Sequence, residues 1–255
     1  MISKTKLKEL AVYKQQKRCD EDSVFVVEGV KICDEILAAN VPIRTICATN
    51  SWLSDHPDLP TNAEVFEIDN VMLERISSMR TPNEVWMLLD RNILSSNQQT
   101  HTSANQRPLT IALDHLQDPG NLGTIIRTAD WFGIRHIVCS EGTVSCFNPK
   151  VVQSTMGGLF RTQITYCDLP SYLSSCHQPV FGALLNGENI WQGPGLQVPA
   201  EGAVLVIGNE SKGITPEVQA CVTHRVTIPN LGGTAESLNA SVACAILMAE
   251  LVKKC

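Results

Sequence analysis

Apolar and polar positions alternate in two different rhythms along this chain, and the rhythm changes character near residue 100. Before it, short apolar runs of strand length alternate with stretches of helical period. Residues 24–27, 43–48, 65–68 and 85–89 predict strands. Residues 28–39 predict a helix with Val30, Ile32, Cys33, Ile36 and Leu37 turned inward, and residues 71–76 a short helix. Residues 92–106, NILSSNQQTHTSANQ, hold no charge and almost nothing apolar, which marks a linker. Beyond it, residues 109–113, 137–139, 181–185, 203–207 and 226–228 are near-continuous apolar runs with room between them for crossover helices. Strands that read apolar on both faces belong to a parallel sheet covered by helices on both sides. The expected fold class is α/β: a small domain over residues 1–91, a linker over 92–106, and a parallel-sheet domain over 107–255.

Composition narrows the class. With 44 % hydrophobic and 18 % charged residues the chain is globular rather than disordered. No apolar stretch reaches the roughly 18 residues of a membrane span, and the first 22 residues contain no uncharged apolar block of a signal peptide. A soluble, cytoplasmic protein with no membrane partner is expected. The ten cysteines include no CxxC pair and sit mostly in apolar surroundings, so they read as reduced core residues, with no metal site. A net charge of −6 argues against a general nucleic-acid coat. The first 18 residues nevertheless carry Lys4, Lys6, Lys8, Lys14, Lys17 and Arg18 against Glu9 alone, either a solvated helix face or a phosphate-contacting arm.

In a parallel sheet, ligands bind at the loops leaving the carboxyl ends of the strands. That rule selects residues 114–123, 208–213 and 229–239. No G-x-G-x-x-G is present, so the dinucleotide fingerprint is missing. Gly208-Asn-Glu-Ser-Lys-Gly213 has the glycine spacing of a phosphate loop but continues Ile214-Thr215 in place of Lys-Ser/Thr, and position 209 is Asn where a hydrolase elbow needs glycine. In the first loop Asn121 reads as the cap of a helix beginning near Leu122, and Arg127 as a surface partner of Asp130. In the third, Ser237 reads as the cap of a final helix whose Leu238, Val242, Ile246 and Ala249 follow helical spacing. Asn239, in the first turn of an apolar helix, gains little unless it bonds something.

Taken together, Asp118-Pro-Gly-Asn-Leu-Gly-Thr-Ile-Ile-Arg-Thr-Ala129, Ile207-Gly-Asn-Glu-Ser-Lys-Gly-Ile214 and the stretch from Ile228-Pro to Ser237-Leu-Asn-Ala-Ser-Val242 resemble the three motifs of the SpoU (TrmH-like) RNA ribose 2′-O-methyltransferases of the SPOUT superfamily. Asn148-Pro-Lys-Val-Val152 is similar to the family's segment between the first two motifs, and the region around Val26-Val27-Glu28-Gly29 to its N-terminal RNA-binding domain. The resemblance implies a trefoil-knotted C-terminal domain, a homodimer with the active site at the subunit interface, and S-adenosylmethionine as methyl donor, with no metal. It places the cofactor against Ala183, Leu184, Gly208, Asn209, Ile228, Leu231, Ser237 and Leu238, and the catalytic centre at Asn121, Arg127, Glu210, Ser237 and Asn239. RNA would be met by Lys4, Lys6, Lys14, Arg18 and Lys150. Basic and serine residues commoner in the family after Asn148-Pro-Lys150 are replaced by Gln153-Ser-Thr155, which implies the loss of an RNA contact there; the final residues carry only Lys253 and Lys254 in place of the basic extension of some tRNA-modifying relatives, which tilts the expected RNA partner from tRNA to rRNA. The alternative is a non-catalytic RNA-binding or ribosome assembly factor on the same fold.

Overall fold

The computed structural model describes residues 2–92, 108–192 and 198–253; the expected linker lies outside these apart from its first residue. The described residues fall into two compact units.

The first unit holds α1 (Lys4–Ala11), α2 (Gln16–Glu21), β1 (Val24–Glu28), α3 (Val30–Ala38), β2 (Thr45–Ala48), α4 (Asn50–Asp55), β3 (Glu64–Glu67), α5 (Asn70–Ile76) and β4 (Val85–Asp90). Its sheet runs β1-β4-β2-β3, with β4 antiparallel to both neighbours and β3 parallel to β2 at the edge. The four expected strands are present. The helix expected from residue 28 starts at Val30 instead, because β1 continues through Glu28 and Gly29 then turns the chain at φ +97°, a conformation costly to any residue with a Cβ. Ile32, Cys33 and Ile36 are its buried side chains, while Val30 and Leu37 are only partly covered. The buried Glu28 carboxylate accepts bonds from the Ser77 and Ser78 hydroxyls and from the Ser78 N–H, which ties β1 to the turn after α5.

The second unit carries β5 (Leu109–Leu113), α6 (Pro119–Trp131), β6 (His136–Ser140), β7 (Gln163–Cys167), α8 (Leu169–Ser174), β8 (Val180–Asn189), β9 (Ala203–Ile207), α9 (Pro216–Gln219), β10 (His224–Thr227) and α10 (Ala240–Val252). Between β6 and β7 the chain forms α7 (Pro149–Thr155). Its segment Phe147–Phe160, which the sequence reading counts within 107–255, groups with the first unit. Apolar packing explains this: the Phe25 ring lies 5.1 Å from Phe147 and 6.2 Å from Phe160, with the Arg91 guanidinium over the Phe147 ring.

The second sheet has the order β10-β8-β9-β5-β6-β7, and every pair in it is parallel. The central β9 is buried along its whole length and β5 along nearly all of it, as their apolar sequences require. Six strands are present where five were expected. The addition, β7, is the edge strand Gln-Ile-Thr-Tyr-Cys, only half covered and too mixed in polarity to announce itself. Because all six strands point one way, the loops after β5, β9 and β10 leave from the same edge of the sheet. The β8–β10 ladder is interrupted: Arg225 pairs with Gly182 but Val226 with Glu188, so residues 183–187 stand opposite a single step of β10. A Cβ on Gly187 would come within 2.5 Å of the Val226 backbone, so only glycine closes this excursion.

Helix α10 corrects the expected stripe. Its buried side chains are Ser241, Cys244, Leu247, Met248 and Leu251, whereas Val242 is exposed and Leu238 lies exposed before the helix begins. The helix is apolar on nearly every side, so spacing alone does not select a face. All nine described cysteines are free, and burial raises the Cys47 thiol to about 12.

Candidate functional site

The three strand-end loops of the second unit are stitched together by side chains. In the first, Leu113 passes directly into the buried Asp114. One carboxylate oxygen of Asp114 accepts from the Thr215 N–H (2.7 Å) and hydroxyl (2.8 Å), and the other meets His115 Nδ1 at 2.8 Å. The first residue after β5 is therefore fixed against the end of the loop after β9.

Asp118, not Asn121, caps α6: its Oδ1 accepts from the Asn121 N–H at 2.8 Å, and Pro119 follows in the first helical position, where a missing N–H costs nothing. Asn121 is thereby released for other work. Buried at 6 % exposure, it donates from Nδ2 to Glu210 Oε1 (3.0 Å) and accepts at Oδ1 from Asn239 Nδ2 (2.9 Å). Glu210 also receives the backbone N–H groups of Asp118 (3.1 Å) and Gln117 (3.3 Å). Partial burial works against its charge, but these donors prevail and hold the carboxyl below its ordinary value.

Asn239, not Ser237, caps α10; its Oδ1 accepts from the Ser241 N–H (2.9 Å) and hydroxyl (2.6 Å) and from the Val242 N–H (3.3 Å). Since that oxygen is saturated, its amide nitrogen is oriented toward Asn121. A single chain, Glu210–Asn121–Asn239, thus spans the loops after β9, β5 and β10.

The loop after β9 is rigid. Asn209 and Gly213 exchange two backbone bonds of 2.9 Å, the Asn209 side chain accepts from the Ser211 and Lys212 N–H groups, and its Nδ2 donates to the His115 carbonyl at 2.7 Å. A Cβ on Gly208 would lie 2.2 Å from the Gly213 carbonyl carbon, so the turn excludes any side chain there.

Three of the five expected catalytic residues, Asn121, Glu210 and Asn239, are therefore joined by direct hydrogen bonds. The other two are not. Arg127 is exposed on α6 and, among the described residues, has no hydrogen-bond or ion-pair partner. The expected Arg127–Asp130 pair does not form: Asp130 is taken by Arg135 (2.6 Å) and Arg161 (2.9 Å). Ser237 is exposed, with no side-chain hydrogen bond among the described residues. Ala183 and Leu184 lie on the excursion of β8; they are half-buried, as are Gly208, Asn209 and Ile228, while Leu231 and Leu238 are exposed.

In the basic arm, Lys6 bonds Glu64 (2.9 Å) and Glu9 (3.2 Å), and the Glu64 bond, ahead of the opposing effect of burial, raises its pKa. Arg18 pairs with Glu21 (2.7 Å), and Lys14 donates to the Glu74 carbonyl (3.1 Å). Lys4 and Lys150 are exposed and form no ion pair among the described residues. A cavity of about 440 Å³ beside Lys6, Tyr13, Arg44 and Glu64 belongs to the first unit.

Sequence reasoning missed Asp114 and His115. The available signal was a charged residue directly after a fully apolar strand, where burial must be repaid by hydrogen bonds. Among the described residues no cluster of His, Cys, Asp or Glu has the makings of a metal site, and no helix is long and apolar enough to cross a membrane.

Residues 108–249 match the model of the SpoU rRNA Methylase family, and residues 4–86 that of the MRM3-like substrate binding domain. The chain is 28 % identical over 251 residues to the 23S rRNA (guanosine(2553)-2′-O)-methyltransferase RlmP of Bacillus subtilis, covering 96 % of this chain and 95 % of the relative. A solved structure of a TrmH-family protein from Porphyromonas gingivalis is 37 % identical, covers all of both chains and superposes with a TM-score of 0.84. The AdoMet-bound rRNA methyltransferase from Sinorhizobium meliloti is 26 % identical, with a TM-score of 0.82 over 98 % of this chain and 95 % of its own. With its three loop motifs joined as described and more than half its length matched, the chain belongs to the SpoU rRNA methylase family.

Proposed function

We propose that this protein transfers a methyl group from S-adenosylmethionine to a ribose 2′-hydroxyl of structured RNA, ribosomal rather than transfer RNA. The observation that carries the reading is the Glu210–Asn121–Asn239 chain across three strand-end loops. A fold kept only for binding has no need to saturate a carboxylate and two amides in this way, which speaks against the assembly-factor alternative.

The loops suit the cofactor. Residues 183–187 leave the β10 ladder, Gly208 carries no side chain, and Leu184, Leu231 and Leu238 supply apolar surface, a mixture of backbone polar groups and hydrocarbon that matches a zwitterionic nucleoside. Ala183, Leu184, Gly208, Asn209, Ile228, Leu231, Ser237 and Leu238 would hold it. When bound, S-adenosylmethionine supplies a methyl group already activated by its sulfonium, and a neutral thioether departs.

The chain's own residues must then present the ribose and stabilise oxygen as its charge grows. Arg127, without a partner among the described residues, is suited to donate hydrogen bonds to the developing alkoxide rather than to remove its proton, because a guanidinium offers only donors. Glu210 holds the Asn121 amide, Asn121 holds Asn239, and the three with Ser237 position ribose and cofactor. The terminal domain over residues 1–91 selects the RNA, aided by Lys4, Lys6, Lys14, Arg18 and Lys150, while residues 107–255 carry the chemistry.

The same reading includes the trefoil knot, supported by the late insertion of β9 between β5 and β8, and a cytoplasmic homodimer. The dimer is supported by exposed apolar side chains on the second unit, Trp131 at 84 % and Val242 at 47 %. Calorimetric titration with S-adenosylmethionine and its demethylated product tests the cofactor assignment. Both should bind the wild type, and Gly208→Trp should abolish binding; a folded wild type that binds neither would refute it.

A further inference from the structure

The loop after β10 carries Ile228, Leu231, Ser237 and Leu238 of the proposed cofactor set, yet it has almost no framework of its own. Among the described residues, no hydrogen bond between backbone groups falls on residues 229–238. Packing does not hold the loop either, because residues 230–238 are exposed throughout. A stretch of this kind fluctuates unless side chains fix it, and a ligand that closes it must bear the cost of ordering it.

One side chain supplies what the backbone lacks. Asn230 Oδ1 accepts from the Gly232 N–H (2.9 Å) and the Gly233 N–H (2.7 Å). Its Nδ2 donates to the carbonyls of Gly233 (3.0 Å) and Ala235 (3.1 Å). A primary amide has two hydrogens to give and two lone pairs to receive with, so Asn230 is saturated by this loop alone. Gly232 sits at φ +109°, and a Cβ there would meet nothing within 4 Å. Its glycine therefore serves the turn around the Asn230 amide, not a close neighbour.

We propose that Asn230 is a positioning residue for S-adenosylmethionine, one that preforms the loop before the cofactor arrives; this rests on the methyl-transfer reading and its cofactor assignment. The loop is then clamped at both ends. Asn230 fixes the entry after β10, and Asn239 fixes the exit by capping α10 and bonding Asn121. Between the clamps, the backbone groups of Leu231, Thr234, Glu236, Ser237 and Leu238 make no hydrogen bond among the described residues. They are left to meet the polar edges of a zwitterionic nucleoside, with Leu231 and Leu238 offering hydrocarbon beside them.

The exposure of Asn230 separates this role from general stabilisation. Water competes for its four bonds, so they add little to the stability of the whole fold. Their effect is local, on how many shapes the loop samples before binding. That effect enters the affinity for the cofactor and leaves the chemical step alone, because a bound cofactor orders the loop itself.

Calorimetric titration with S-adenosylmethionine, together with steady-state methylation of rRNA, tests this on the wild type, Asn230→Ala and Asn230→Asp. Circular dichroism and melting curves of both variants should match the wild type closely. Asn230→Ala should bind the cofactor about tenfold or more weakly, with a less favourable binding entropy, and its KM for S-adenosylmethionine should rise to match. At saturating cofactor its kcat should stay within about threefold of wild type, with the KM for RNA unchanged. Asn230→Asp keeps an oxygen for the two glycine N–H groups and loses both donations, so its affinity should fall between the other two. An Asn230→Ala variant that melts earlier but binds cofactor as the wild type does would overturn the assignment and leave Asn230 a structural residue. So would a fall in kcat with the KM for S-adenosylmethionine unchanged. Both outcomes spare the methyltransferase reading, whereas a folded wild type that binds no S-adenosylmethionine would overturn the two together.

Discussion

Glu210 decides how the centre responds to acid. Its carboxyl is held below the ordinary value, so its hydrogen bonds stabilise the fold fully at neutral pH and are lost as the pH falls through the lowered value. Melting curves should therefore show Glu210→Gln less stable than wild type at neutral pH and equal to it once the pH has fallen below that lowered value. Arg127 predicts the opposite separation. Among the described residues it has no partner to lose, so Arg127→Ala should change stability by less than about 0.5 kcal/mol while lowering kcat by about 100- to 1000-fold; wild-type methylation by this variant would remove arginine from the mechanism. At this scale the motif made the residue identities legible, but not their partners. Asn121 and Ser237 each suit a helix cap, and only the fold shows Asp118 and Asn239 taking those places.

The elements owe their positions to features of unequal visibility. Buried strands such as β5 and β9 were plain in the sequence because a parallel sheet covered on both faces demands unbroken apolar runs. The edge strand β7 and the buried face of α10 were not, since one is half-exposed and the other apolar almost all round. The loop after β9 offers a sharp test. Gly208→Ala meets backbone atoms at 2.2 Å and should cost about 1–3 kcal/mol and weaken cofactor binding. Gly213→Ala meets nothing within 4 Å and carries only the strain of its φ of +69°, so the loss should be about 1 kcal/mol. Denaturant unfolding of the pair measures the difference, and equal losses would show that backbone contact does not govern Gly208.

For the molecule as a whole, the chargeless and nearly apolar-free stretch over residues 92–106 reads as a linker in the sequence, whereas the attachment of Phe147–Phe160 to the first unit depends on aromatic packing that no local pattern reveals. Exposed Trp131 and Val242 should be covered in the proposed homodimer, so Val242→Glu should shift the sedimentation equilibrium toward monomer; an unchanged mass would place the interface elsewhere. The central claim is where the methyl group goes. Ribosomal RNA incubated with the protein and labelled S-adenosylmethionine, then hydrolysed in alkali, tests it directly, because a 2′-O-methyl group blocks cleavage of the adjoining phosphodiester. The account predicts label in a single alkali-resistant dinucleotide; label released with ordinary mononucleotides would place the methyl on a base and contradict it.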